Sequence, residues 1–346
     1  MEQARGTKAI ESGAQRLGNL GPDSAAPAPA GLAEAPASAK SGAAAPALMH
    51  AGDLGVLAGL AALGVVAWSL PYERWRGFAR TLAPMAVPFV AGGRSSLAST
   101  IEQVGGDMLG QPVETVLREF MACHIERVLP YLRDYRPNGW QPLIRVLGKE
   151  QIDAALASGR GVVLWDAHFA FASLVTKLGL RRAGLWVSHL SHPRHGFSTS
   201  RFGMKLLNPV ITTVERRYLG ERVVLGLDDS KEALRRLTAR LRAGGVVSVK
   251  VGGTAKRPLM APFLNGEIPL GPGAPLLARD GEALLMPVFT LRDGKGGFTI
   301  QIEPPLDLPM QGSKSDALEA AARDYAKRLE PYVLGAPGQW LGWSEL

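Results

Sequence analysis

Three features of the amino-acid sequence predict an α/β domain: a mixed, largely parallel sheet flanked by helices, with an N-terminal apolar helix. Short apolar runs recur after Trp140, and most lack the polar–apolar alternation of a half-exposed strand, as expected of strands covered on both faces. Between them lie segments of helical length, which the crossovers of a parallel sheet require. A charge-free stretch, LGVLAGLAALGVVAWSL from Leu54 to Leu70, stands in front of the pattern.

Taken in order, residues 1–47 are dominated by Ala, Pro, Gly and Ser, as in SAAPAPAGLAEAPASAKSGAAAPA. Such a segment has too little large apolar surface to offset the entropy of ordering, so a disordered tail is expected. It does not read as a signal peptide, because no apolar region follows a basic start. Residues 48–80 are expected to form an apolar membrane-anchoring helix with a basic-aromatic flank. As a helix the apolar run is about 26 Å long, slightly short of the ~30 Å hydrocarbon core. Trp68, Tyr72 and Trp75 accompany Arg74, Arg76 and Arg80, the composition of a membrane interface. A short spanning helix, a half-inserted anchor and a buried helix of the domain are the three readings, and either kind of anchor is preferred. If the helix spans, its Arg-rich downstream flank places the main domain on the cytoplasmic side of a bacterial inner membrane.

Residues 81–346 carry the α/β pattern. Helices are expected at 112–137, 149–158, 168–179, 198–207, 229–243, 272–280 and 315–332. Strand candidates are GVVLWDA (161–167), GLWVS (184–188), VITTV (210–214), GVVSVKV (245–251) and ALLMPVF (283–289). FTIQIEPPL (298–306) alternates and reads as an edge strand that Pro304 and Pro305 terminate.

The net charge of +8 points to an anionic partner: an anionic membrane surface, nucleic acid or an acidic carrier protein. A solvated basic surface is the plainer explanation. The basic residues are scattered and form no nucleic-acid-binding signature, so no nucleic-acid partner is expected. Cys123 is the single cysteine, which excludes an internal disulfide and a thiolate metal cluster.

Ligands of α/β sheets gather at the carboxyl ends of the strands. His168 directly follows the strand candidate 161–167 and can deprotonate a hydroxyl there once a partner fixes its tautomer; an isolated histidine would as readily cap or pack locally. Asp166, two residues earlier, is on a strand directed to the same face and is a candidate partner; a carboxylate at a strand end can also simply be solvated. Asp228 and Asp229 read better as caps of the helix that follows. SHLSHPRHGFSTSR (188–201) brings together His189, His192 and His195 with Arg194 and Arg201, but Pro and Gly make it a loop and the spacing is not that of a known metal motif. It reads as a cationic loop able to meet phosphates, without a metal. Arg216, Arg217, Arg222, Lys250, Lys256 and Arg257 add positive charge near strand ends, suited to gripping phosphates. Gly252, Gly253 and Thr254 read as a tight loop whose amides form an oxyanion or phosphate nest, although an ordinary turn needs the same residues.

The stretch IRVLGKEQIDAALASGRGVVLWDAHFAFASL resembles the entry to the active site of bacterial lipid A late acyltransferases (lauroyl/myristoyl acyltransferase-like), within the lysophospholipid acyltransferase superfamily. DDSKEALRRLTARLRAGGVVSV, APFLNGEIPLGPGAPLLARDGEALLMPVF, IEPPLDLP and GAPGQWLGW, with Gln339 and Trp340, continue the resemblance in order over about residues 55–346. It implies the superfamily's α/β fold and a His-x4-Asp/Glu motif beginning at His168. It also implies an acyl thioester donor, carried by acyl carrier protein or coenzyme A, a membrane-lipid acceptor and no cofactor. Two departures stand out. The acid position is Ser173, and the family's Pro-Asp-Gln-like segment is replaced by Lys250, Val251 and Gly252. In triads, replacing the orienting acid by a neutral group costs on the order of 10⁴ in turnover.

Three functions follow. The first is an acyltransferase with His168 as general base, oriented by Asp166 or Ser173. The second is a catalytically weakened homologue acting as a lipid-binding or assembly protein. The third is a membrane-anchored scaffold whose tail recruits partners.

Overall fold

A computed structural model describes residues 47–85, 93–225, 230–252, 257–294 and 296–346. The expected tail lies, up to residue 46, outside the described residues, as do Asp228, Asp229, Gly253, Thr254 and Lys256.

Helix α1 (Asp53–Ser69) is apolar on every side. It buries Leu60 and Ala67 and leaves Leu54, Leu57, Val65 and Trp68 exposed. Next come α2 (Trp75–Leu82), α3 (Gly93–Thr100), α4 (Val113–Glu126) and α5 (Leu129–Arg133). Both ends of α1 are tied down. At its start buried Asp53 accepts hydrogen bonds from the His50 amide at 2.8 Å and the Ser200 hydroxyl at 2.5 Å. At its end Arg133 donates to the Ala67 carbonyl at 2.5 Å and Arg136 to that of Trp68 at 3.2 Å, so two cations satisfy carbonyls the helix leaves unpaired. Of the arginines read as a membrane flank, Arg76 and Arg80 both pair with Glu119, at 3.0 and 2.7 Å. Among the described residues no helix is long and apolar enough to cross a membrane.

The sheet follows. Its elements in chain order are β1 (Ile144–Leu147), α6 (Lys149–Ala157), β2 (Val162–Asp166), α7 (Ala172–Arg182), β3 (Val187–Ser191), α8 (Pro209–Arg217), β4 (Glu221–Val224), α9 (Ser230–Arg242) and β5 (Val246–Lys250). A hairpin of β6 (Leu259–Phe263) and β7 (Gly266–Leu270), helix α10 (Gly273–Asp280), β8 (Leu284–Arg292), β9 (Phe298–Ile302) and α11 (Lys314–Gly335) complete it. Seven strands run in the order β1-β9-β8-β2-β5-β3-β4, and every neighbouring pair is parallel except β8–β9. The sheet is therefore mixed and largely parallel, with helices on both faces.

Strand β2 lies in the middle and all five of its residues are buried, which explains its unbroken apolar run. Gly161 feeds it. A Cβ there would sit 2.3 Å from the Leu241 carbonyl oxygen, so only glycine lets the strand enter beside α9. Trp165 turns to one face and packs at a tilt against Tyr325 of α11 with ring centroids 4.2 Å apart. Asp166 turns to the other, where α7 lies.

Three elements differ from the sequence expectation. VITTV is the body of helix α8, not a strand. Pro209 occupies its first turn with φ already helical, and tertiary burial of Val214 and Glu215 overrides the β-branched propensity. The strand of that region is β4, ERVV, whose charged start hides it. FTIQI is not the edge of the sheet, because β1 covers its far side. The 188–201 segment begins as strand β3, so His189 is a sheet residue and not part of a loop.

Candidate active site

The carboxyl end of β2 is joined to the C-terminus of the chain. The Leu341 amide donates to the His168 carbonyl at 2.8 Å, the Ala170 amide donates to that of Gln339 at 2.9 Å, and Phe169 forms an isolated antiparallel bridge with Trp340. Gln339 clamps this arm to the end of β8. Its Oε1 accepts from the Arg292 amide at 2.8 Å, and its Nε2 donates to the Arg292 carbonyl at 3.2 Å. Trp340 packs on Phe263 and Trp343, and the Trp343 indole donates to the Pro337 carbonyl at 2.9 Å. A short 3₁₀ turn, Leu341–Glu345, then carries a carboxylate back over the strand end. Glu345 Oε1 lies 2.6 Å from His168 Nδ1. An ionised carboxylate can only accept, so Nδ1 carries the proton and Nε2 the lone pair.

Helix α7 presents Ser173, Thr176 and Lys177 on one face, by their three- and four-residue spacing. Asp166 and Lys250 are register partners in the parallel pair β2–β5, so their side chains leave the same face of the sheet. Lys250 Nζ donates to Ser173 Oγ at 2.8 Å. Thr176 donates to Asp166 Oδ1 at 3.4 Å and is 2.8 Å from the Thr290 hydroxyl. Lys177 pairs with fully buried Glu215 at 2.8 Å, and Glu215 also accepts from Tyr131 at 2.8 Å and lies 3.2 Å from His195 Nε2. Breaking such a buried pair from one side costs about 3–5 kcal/mol, because the other charge is stranded. His189 Nδ1 bonds the Ser248 hydroxyl at 2.8 Å across β3–β5.

This polar belt sets the titration of the site. Burial drives the His168 imidazole down to about 4, and the Lys250 charge pushes the same way against the hydrogen bond and charge of Glu345. Burial lowers the Lys250 ammonium to about 8, with Asp166 pulling it up and Arg127 and Lys177 pressing it down. Asp166 is raised to about 6 by burial, restrained by Lys250 and Lys177. Burial alone would raise the Glu215 carboxyl; Lys177 and His195 together hold it well below the usual carboxylate range. At neutral pH the imidazole is therefore uncharged and able to take a proton.

His168, Glu345 and Gly342 open on a cavity of about 10 Å³, room for roughly one water, whose other walls are Val251, Ile268, Pro269, Tyr325, Leu329 and Trp340. The Tyr325 hydroxyl is buried without a hydrogen-bond partner.

Of the residues singled out in the sequence, Asp166, Ser173 and Lys250 lie together on the α7 side of β2 and β5, His168 follows β2 and lines a cavity with Tyr325 and Leu329 of α11, and Gly252 follows two residues after Lys250. Asp166 bonds Thr176 and Ser173 bonds Lys250, while the carboxylate on His168 is that of Glu345. Arg194 is exposed on the loop after β3, and Arg201 is exposed at the start of the helical segment that follows it. Arg216 and Arg217 end α8, and Arg217 pairs with Asp134 at 2.8 Å. Arg222 donates to Ser191 at 3.1 Å. The nest residues Gly253 and Thr254 lie outside the described residues.

Sequence reasoning missed Glu345 and Arg127. The charge of half-buried Arg127 is felt by both His168 and Lys250, and its buried Nε has no hydrogen-bond partner among the described residues. The signal for Glu345 was its place two residues past the familial GAPGQWLGW segment.

The sequence model of one family, described as bacterial lipid A biosynthesis acyltransferase, matches residues 43–343. A search of curated proteins found no match.

Proposed function

The chain belongs to the bacterial lipid A biosynthesis acyltransferase family, and from that premise we propose how it performs acyl transfer to a lipid. A fatty acyl chain moves from a thioester, of acyl carrier protein or coenzyme A, to a hydroxyl of a membrane lipid or glycolipid. His168 Nε2 takes the proton of the attacking hydroxyl, and Glu345 holds the ring and stabilises the imidazolium that forms. The reading rests on one observation, the 2.6 Å contact of Glu345 with His168 Nδ1. It supplies from the C-terminus the carboxylate that Ser173 cannot. No cofactor enters the scheme.

The setting is the cytoplasmic face of a bacterial inner membrane. Exposed Leu54, Leu57, Val65 and Trp68 of α1 enter the interface while both ends of the helix stay bound to the domain. The net positive charge adds attraction to anionic lipid.

Lipid extracts of cells carrying wild-type, His168→Ala or Glu345→Gln protein, compared by mass spectrometry, test the mechanism. Wild type yields a lipid heavier by one acyl chain, His168→Ala yields none, and Glu345→Gln falls by roughly 10²–10⁴. The same product at the same level in His168→Ala cells would remove His168 from the reaction.

A further inference from the structure

Tyr325 breaks the rule that a buried polar group has a partner. Its side chain is fully buried, yet its hydroxyl bonds nothing among the described residues. A phenylalanine would fill the same space without stranding a hydroxyl, so packing alone gives no reason for the oxygen. The ring itself is held. Trp165 of β2 tilts against it at 4.2 Å between centroids, and Phe289 of β8 at 5.8 Å. Tyr325 and Leu329, one turn apart on α11, both wall the cavity on which His168 and Glu345 open. That cavity, about 10 Å³, admits a single water-sized atom, so its walls converge on one position. Val251, Ile268, Pro269 and Leu329 make the rest of it largely apolar. Burial, and then the negative charge of Asp166, hold the phenol far above its usual range, so it keeps its proton and can donate at every working pH.

We propose that Tyr325 is a catalytic residue, whose hydroxyl donates a hydrogen bond to the thioester carbonyl oxygen, in the cavity beside His168, as that oxygen becomes an oxyanion. This rests on the acyl-transfer reading of the site and adds to it the group that meets the developing charge. Negative charge grows on that oxygen during attack, and a preorganised donor in a dry site favours the transition state over the ground state. The same donor on the acceptor hydroxyl would weaken the nucleophile that His168 activates, which makes the carbonyl the better occupant.

The step balances without any oxidant or reductant. The acceptor oxygen bonds to the thioester carbon while its proton passes to His168 Nε2, and the carbonyl π electrons move to oxygen. Tyr325 meets that oxygen with its O–H and keeps its own proton. Collapse restores the carbonyl and breaks the C–S bond, and the imidazolium gives its proton to the departing sulfur. His168 thus serves the acceptor and Tyr325 the donor.

The test is Tyr325→Phe, which removes one oxygen, in the purified full-length chain. Donors are dodecanoyl-coenzyme A and dodecanoyl-acyl carrier protein, the acceptor is vesicles of lipid extracted from cells lacking the protein, and freed thiol is the readout. The turnover kcat should fall by roughly 10²–10³, with KM for the thioester within about 2-fold of wild type. Melting temperature should stay level or rise, because a stranded buried hydroxyl is gone. The infrared carbonyl band of bound dodecanoyl-coenzyme A, isotope-labelled at that carbon, should lie at higher wavenumber in Tyr325→Phe than in wild type. A kcat equal to wild type, or a carbonyl band that does not move, overturns the role. So does a loss of activity that only follows a fall in melting temperature, which marks a structural hydroxyl. Thiol release lost in His168→Ala but kept in Tyr325→Phe sinks Tyr325 alone. If wild type frees no thiol with either donor, the acyl-transfer reading and the role of Tyr325 fall together.

Discussion

A carboxylate bonded to Nδ1 leaves Nε2 as the lone-pair nitrogen of His168, and the surroundings then decide at which pH that lone pair is free. Burial first, and then the Lys250 charge, bring the imidazole down to about 4, well under its ordinary value near 6.5. A base is active above its pKa, so the acid limb of kcat/KM for the lipid acceptor is expected near pH 4 in wild type. Glu345 favours the protonated ring, so Glu345→Gln should move that limb further down while lowering the plateau. Lys250→Met removes a repelling cation and should move it up toward 6.5. A Glu345→Gln profile displaced upward would show that the carboxylate does not act on the ring in solution. The same shift has a stability sign: the folded chain binds this proton less readily than the unfolded chain. The His168 contribution is therefore intact above about pH 6.5 and is lost as pH falls toward 4. His168, Asp166 and Lys250 were legible because each follows or ends a strand that periodicity reveals, and Ser173 only because the family's motif spacing counts to it from His168. Glu345 lies 177 residues from His168, and no local pattern announces a pairing of that span.

At the scale of elements, the site depends on the arm that closes the chain. Gly342 is forced: a Cβ there would stand 2.3 Å from the Trp340 ring, and that ring is wedged between Phe263 and Trp343. Gly342→Ala must displace either the indole or the turn, and overpacking of this kind costs about 1–3 kcal/mol. Because the turn ends on Glu345, the loss should exceed what stability alone explains. Acyl transfer is expected to fall at least about 10-fold, as for a misplaced catalytic group, while melting drops by a few degrees. Hydrogen exchange at residues 337–345 should rise. Full activity in Gly342→Ala would show that the arm does not set the His168 geometry. Elements show the limits of local reading from the opposite side. VVLWD of β2 was plain because burial on both faces writes a continuous apolar run, and α9 was plain from its charged, helically spaced SKEALRRLTARLR. VITTV reads as a strand by composition, and what makes it helix is Pro209 in the first turn and the burial of Val214 and of Glu215, which pairs with Lys177. ERVV of β4, with only Val223 buried, carries too little apolar signal to be seen alone.

For the whole molecule, the strand order puts the reacting ends of β2 and β5 side by side, since the chain leaves β2 toward β3 and leaves β5 toward β8. Both ends lie at the carboxyl side of the strands, the usual place for a ligand in an α/β fold. On the proposed reading a lipid acceptor reaches the strand ends from a bilayer, and α1 is the element proposed to meet it. Its inner side rests on Leu60 and Ala67, and its outer side offers Leu54 at 56% and Val65 at 67% exposure among the described residues. Each large aliphatic side chain buried in the interface contributes about 1.5–3 kcal/mol at most, so two together can account for more than a 100-fold change in partitioning. Leu54→Glu with Val65→Glu should therefore cut co-sedimentation with vesicles containing anionic phosphatidylglycerol at least about 10-fold. Melting should stay nearly unchanged, because neither side chain belongs to the core. Transfer to a lipid acceptor should fall in parallel. Vesicle binding equal to wild type in the double variant would mean that α1 is a surface helix of the domain and that the acceptor arrives by another face.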